Sequence, residues 1–168
     1  MHETPFIQVD RFTRSGETVS GEIDPMDLPR LRQLLAAPGG RIQYRLTGSV
    51  RKDRLGGAQK RVKCIIYGWF FLADRVTLEA QRHEVNLESM LVLVGDESEL
   101  PPLESEPDDE DTIVCGPRLD ILERVEEELL LEVPAAGWTG GASGESAPAG
   151  RERRESPFAA LKALKDKQ

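Results

Sequence analysis

Apolar and polar positions alternate strictly through Arg41, Ile42, Gln43, Tyr44, Arg45 and Leu46. This is the pattern of a half-buried strand, with Ile42, Tyr44 and Leu46 facing a core and Arg41 and Arg45 facing solvent. A long connection is read next, containing Gly48, Gly56, Gly57 and the charged residues 51–54. Residues 61–72 are rich in β-branched and aromatic side chains and read as a longer strand. Gly68 within it marks a bulge or a close approach of two backbones. Residues 85–94 form another strand, with 76–78 as a short one between. Successive strands on short links predict an antiparallel β meander, or one curled toward a partly open barrel.

A different period marks the helices. Asp24-Pro25 offers a cap followed by proline at the first helical position, and Asp27 is an alternative start. Leu28, Leu31, Leu34 and Leu35 would form the buried stripe, and Pro38-Gly39-Gly40 would end the helix. The strongest helix runs from 119 to 133, with Leu119, Leu122, Val125, Leu129 and Val133 on one face. Asp120 and Glu123 suit a capping box, and Pro134 terminates the helix. Residues 1–23 lack a clean period; 6–9 and 17–19 read as short extended pieces. Residues 95–111 are acidic and carry Pro101, Pro102 and Pro107, so a mobile loop is expected, followed by a short strand at 112–115. The fold class is therefore α+β: one domain over 1–134, a meander or partly open barrel flanked by helices.

Beyond it, residues 137–150 are mostly Gly, Ala, Ser and Pro, and 135–155 are expected to form a disordered linker. It leads to a short helical motif at 156–166. Ser156 can cap it, Pro157 fits its first position, and Phe158, Leu161 and Leu164 recur at helical spacing. A helix this short is marginal alone and needs a surface to dock on.

Charge changes the picture. The chain of 168 residues carries a net charge of -8, which argues against a simple nucleic-acid binder. The charge is segregated, however. Residues 41–63 hold eight Arg or Lys and one Asp, whereas 95–132 hold fifteen Asp or Glu and two Arg. Residues 151–168 hold six basic and three acidic side chains. Such segregation can steer a polyanion to one region, or the segments can neutralise each other in the fold. Arg41, Arg45, Arg51, Lys52, Arg54, Lys60, Arg61 and Lys63 are the candidate RNA-binding residues. Tyr44, Tyr67 and Trp69 lie near them in sequence, a composition resembling single-stranded RNA platforms. Tyr44 belongs to the apolar face and reads as core.

Reaction chemistry is harder to find. The paired glycines lack the Lys-Ser/Thr of a phosphate-binding loop, and no Gly-x-Ser-x-Gly elbow occurs. His83 reads as a surface side chain and Cys64 as a core thiol. Glu126, Glu127 and Glu128 are consecutive; neighbours on a helix point about 100° apart, so they cannot act as a close acid/base pair. They read as a solvated face or a partner surface. An enzyme is not expected, nor a cofactor, a metal or a small-molecule substrate. No apolar run approaches the ~20 residues of a membrane span. No signal peptide is visible, and two cysteines suit a reducing compartment, so a cytoplasmic location and no membrane partner are expected.

Three segments together resemble a known family. They are the acidic helix Leu119 to Pro134, the terminal run Ser156 to Lys165, and the strand-and-turn run 62–94 followed by an acidic loop. The combination is similar to the bacterial YceD family, the large ribosomal RNA subunit accumulation proteins, over most of 25–168. The resemblance implies a ribosome-biogenesis factor supporting synthesis, processing or stability of large-subunit (23S) ribosomal RNA, with no catalytic residues to carry over. Val125-Glu126-Glu127-Glu128-Leu129 matches the family's acidic helix centre. Pro157, Phe158, Ala159, Leu161, Leu164 and Lys165 match its tail. Many relatives carry Cys-x-x-Cys after the longer strand; Asp74 and Thr77 occupy those positions here, so any metal site of relatives is absent.

The partners expected on this reading are ribosomal RNA or a ribosome-assembly protein. Glu126, Glu127, Glu128, Pro157, Phe158, Leu161, Leu164 and Lys165 are the candidate partner-binding residues. The alternative is an acidic protein-binding adaptor with no direct RNA contact.

Overall fold

A computed structural model of the chain describes residues 5–52, 56–102 and 109–133. In chain order they form β1 (Phe6–Gln8), α1 (Val9–Ser15), β2 (Thr18–Ile23), α2 (Pro29–Arg32), β3 (Leu35–Lys52), β4 (Ala58–Ala73), β5 (Ala80–Val94), β6 (Asp111–Val114), β7 (Arg118–Asp120) and α3 (Ile121–Glu132). The fold is α+β. Five strands form one sheet in the order β2-β3-β4-β5-β6, and β1 pairs with β7 in a second, two-stranded sheet. The meander expected from the sequence is present from β2 to β5, all antiparallel. β6 departs from it by joining β5 in parallel. Among the described residues the sheet does not close into a barrel.

One face of the sheet carries the core. Ile42, Tyr44 and Leu46 of β3 line up with Val62, Cys64, Ile66 and Phe70 of β4 and with Val85 and Leu91 of β5, all buried. Phe12 of α1, Leu31 of α2, and Val125 and Leu129 of α3 pack into the same cluster. Each fully buried aliphatic or phenyl side chain contributes about 1.5–3 kcal/mol. Gly48 allows α1 to lie on β3, because a Cβ there would sit 2.3 Å from the carbonyl oxygen of Phe12. Gly68 is the close backbone approach foreseen above: a Cβ would stand 1.9 Å from the carbonyl oxygen of Arg41.

Several elements differ from the sequence expectation. The long helix from Asp24 is replaced by a 3-10 turn at Pro25–Asp27 and the four-residue α2. Asp24 does cap, accepting from the Met26 N–H at 2.9 Å. Leu35 leaves the helical stripe and pairs with Leu72, so pairing with the long β4 outweighs local helix preference. The Pro38-Gly39-Gly40 stretch becomes the irregular start of β3, with register shifts between Leu35 and Gly40. Gly48 lies within β3, and the β3–β4 ladder continues to Lys52 and Ala58, so the long connection contracts. Residues 6–8 and 18–19 are extended as expected, but Val9 opens a helix that runs to Ser15 and that Gly16 ends at φ 67.

The short strand expected at 76–78 is a turn. Asp74, buried, accepts at one carboxylate oxygen from the N–H groups of Val76 and Thr77, both at 2.8 Å, and from the Thr77 hydroxyl at 3.2 Å. The two residues aligned with Cys-x-x-Cys therefore close this β4–β5 turn by hydrogen bonding to each other. α3 starts as expected, with Asp120 accepting from the Glu123 N–H at 3.0 Å. The linker 135–155 and the motif at 156–166 lie outside the described residues, as does the centre of the acidic loop.

Candidate nucleic-acid interface

Strand alternation sorts the basic cluster between two faces. In β3 and β4 the side chains on the core face are those in line with Ile42 and Ile66, and their neighbours point the other way. Arg41, Arg45, Arg51, Arg61 and Lys63 all fall on the outer face. Lys52 and Lys60 fall on the core-face register, at the end of the hairpin; Lys60 there pairs with Asp10 of α1 at 2.5 Å. Arg54 lies outside the described residues.

The outer face also carries Ile65, Tyr67, Trp69 and Phe71 of β4, flanked by Arg82, Glu84, Asn86 and Glu88 of β5. Tyr67 is 47% exposed, while Trp69 and Phe71 are half-buried. Trp69 meets Phe71 edge to face at 5.4 Å, and the Arg82 guanidinium lies 4.4 Å above the Trp69 ring. All three described helices pack on the opposite side: α1 against Gly48, α2 through Leu31, and α3 through Val125 and Leu129. Tyr44 is buried with the core, as its position in the alternation required.

Most of these cations have carboxylate partners. Arg41 binds Glu22 at 2.6 Å, Lys63 binds Glu88 at 2.7 Å, and Arg82 binds Glu84 at 3.1 Å. Arg51 and Arg61 both approach Glu110, the Arg51 pair at 3.6 Å. Part of the basic segment is thus neutralised by the acidic loop, as the second reading of the charge pattern anticipated. Hydrogen bonds from Gln43 and then Arg41 hold the Glu22 carboxyl below its ordinary value. Arg45 is exposed and has no ion pair among the described residues.

The acidic triplet does not form the outward surface expected of it. Glu126 and Glu128 are buried. Glu126 reaches across to α2, accepting from the Arg30 N–H at 2.7 Å, the Leu31 N–H at 3.1 Å and the Arg30 Nε at 3.0 Å. Burial alone would raise its carboxyl, but these donors outweigh it and hold the pKa below the ordinary value. Glu128 binds Arg124 at 2.9 Å, one turn back on α3. Glu127 is partly exposed and pairs with Arg124 at 3.0 Å. The unpaired N–H groups of α2 and the buried Arg124 guanidinium require internal acceptors, and these draw the two carboxylates inward. Pro157, Phe158, Leu161, Leu164 and Lys165 lie outside the described residues.

Other reactive groups are embedded. Burial, reinforced by Glu128, pushes the Cys64 thiol up to about 12. His83, read from the sequence as a surface side chain, is half-buried, its ring tilted against Phe70 at 5.4 Å, and burial lowers its pKa. A cleft of about 360 Å³ beside α3 is lined by Cys115, Arg118, Glu123 and Arg124, among others. Among the described residues no three His, Cys, Asp or Glu side chains gather to hold a metal ion, and no helix is long and apolar enough to cross a membrane. No family model, no curated protein and no solved structure matches the chain.

Proposed function

We propose that the protein is a ribosome-biogenesis factor that supports synthesis, processing or stability of large-subunit (23S) ribosomal RNA by binding, not by catalysis. The observation that carries this reading is the outer face of the sheet, where Arg41, Arg45 and Lys63 stand beside Tyr67 and Trp69 on a surface that none of the described helices covers. The resemblance of residues 119–134 and 156–165 to the YceD family narrows the RNA to that of the large subunit. On this reading α3 organises the domain through Glu126 and Glu128, and the outer face meets RNA. The work is done in the cytoplasm. The test is deletion of the gene with quantification of the two ribosomal RNAs. A lowered ratio of large- to small-subunit RNA is expected, and an unchanged ratio refutes the proposal.

An adaptor without RNA contact is the second reading, favoured by the β4–β5 turn. Val76 and Leu78 there are 84% and 76% exposed, an apolar tip suited to a protein partner. RNA binding that weakens steeply with salt counts against this version.

A further inference from the structure

We propose that the outer face binds unpaired RNA by stacking bases on Tyr67 and on the Arg82–Trp69 pair, with Arg45 and Lys63 holding the backbone phosphates. This deepens the ribosomal reading and rests on it for the identity of the RNA.

Across β3, β4 and β5 one row places Arg45 beside Ile65 and Glu88, the next places Gln43 beside Tyr67 and Asn86, and the next Arg41 beside Trp69 and Glu84. Tyr67 therefore sits in a row whose strand neighbours are two uncharged amides, with basic side chains in the rows on either side. A base stacked on the phenol ring would meet amide donors and acceptors at its edges, and its phosphates would meet Arg45 in the adjacent row and Lys63 in the row beyond. Trp69 extends the platform. Its ring is covered by the Arg82 guanidinium at 4.4 Å, and that planar cation is half-exposed. Guanidinium planes stack on bases as aromatic rings do.

Charge favours a polyanion here despite the net charge of -8. The outer positions of β2 to β5 hold six cations, Arg41, Arg45, Arg51, Arg61, Lys63 and Arg82, against three carboxylates, Glu22, Glu84 and Glu88, and Glu110 adds a fourth carboxylate at the Arg51 and Arg61 end, away from Tyr67. The pairs Arg41–Glu22, Lys63–Glu88 and Arg82–Glu84 are all at least two-fifths exposed on both sides. Pairs of this kind are worth about 0–1 kcal/mol, so phosphates can replace the carboxylates at little cost. Unpaired RNA is favoured over duplex because only splayed bases offer their faces to a flat aromatic surface.

Fluorescence anisotropy of the full chain with a short labelled oligouridylate tests this. A duplex of the same length and a polyglutamate peptide serve as comparison probes. The oligouridylate is expected to bind more tightly than either, with affinity falling as salt rises. Tyr67→Ala should weaken it about ten-fold, the loss of one base–aromatic stack. Tyr67→Phe should restore binding, which a merely unfolded Ala variant could not mimic. Arg45→Ala should weaken binding and flatten the salt dependence by about one phosphate contact. Circular dichroism should show both Ala variants folded. Equal binding of duplex and oligouridylate, unchanged binding by the folded Tyr67→Ala variant, or capture of polyglutamate alone would each overturn the proposal. A normal ribosomal RNA ratio in the deletion strain, with these binding results intact, removes the ribosomal reading only. An altered ratio without oligouridylate binding removes this one only.

Discussion

Replacing Glu126 separates a structural carboxylate from a partner-binding one. Its side chain is acceptor to three donors of α2, including the N–H of Leu31, a residue with no exposed surface. Glu126→Ala leaves the Leu31 N–H without a partner in a site water reaches poorly, a cost of about 1–3 kcal/mol. The Arg30 side chain is half-exposed and re-solvates, so its lost ion pair adds about 0–1 kcal/mol. With the second backbone N–H also uncapped, the Ala variant should lose about 2–4 kcal/mol in all. Glu126→Gln should cost only about 1 kcal/mol, because the amide oxygen can still accept from both backbone N–H groups while its NH2 faces the guanidinium. Urea unfolding followed by circular dichroism gives both numbers. The carboxyl is held below the ordinary glutamate value of 4.5, so its contribution is present above that value and lost as pH falls through the lower folded one. The gap between wild type and Glu126→Gln should therefore narrow on acidification below pH 4.5. An Ala variant within ~0.5 kcal/mol of wild type would refute the reasoning and return Glu126 to the surface.

Cys64, with a pKa of about 12, should be inert in the native chain. A thiol-reactive disulfide reagent at neutral pH should modify Cys115 slowly and Cys64 only after urea is added; rapid reaction of both would show the core open. Leu78 is largely exposed yet adopts φ 59, a conformation that suits glycine. Leu78→Gly should raise stability by roughly 0.5–1 kcal/mol in thermal or urea melts, and a loss of stability would show that the leucine makes a contact worth more than its strain.

The legible parts of the fold were those whose signal is local. The alternation of 41–46 marked β3 and its core face, and the capped, periodic run after Leu119 marked α3. The α1 helix carried its own signals, with Val9, Phe12 and Thr13 buried on one side and Gly16 as a left-handed stop, but seven residues are short for a periodicity to register. What failed was decided by distant chain. Leu35 looks helical until β4 offers it Leu72, and β6 cannot be assigned its parallel place without knowing where β5 ends. The same division holds for the site. Alternation was enough to send Arg41 and Arg45 outward, and continuing it through β4 would have joined Lys63 to Tyr67 and Trp69 on one face. The inward turn of Glu126 depends on donors 95 and 96 residues earlier, which no local pattern discloses.

The pairing of β1 with β7 has a consequence for synthesis of the chain. Phe6 lies opposite Asp120, the Val9 N–H donates to the Pro117 carbonyl, and the Ile121 N–H donates to the Pro5 carbonyl. The opening segment must therefore wait for the last strand to be translated, on the order of 5–20 s at ~5–20 residues per second. During that interval the sheet can assemble strand by strand, each new strand pairing with its predecessor, with α1 and α2 already made, but α3 arrives after every strand of the sheet. A nascent chain of this protein is a sheet still bare where α3 will lie, which makes the final step of folding, not the first, the one most exposed to interception by chaperones.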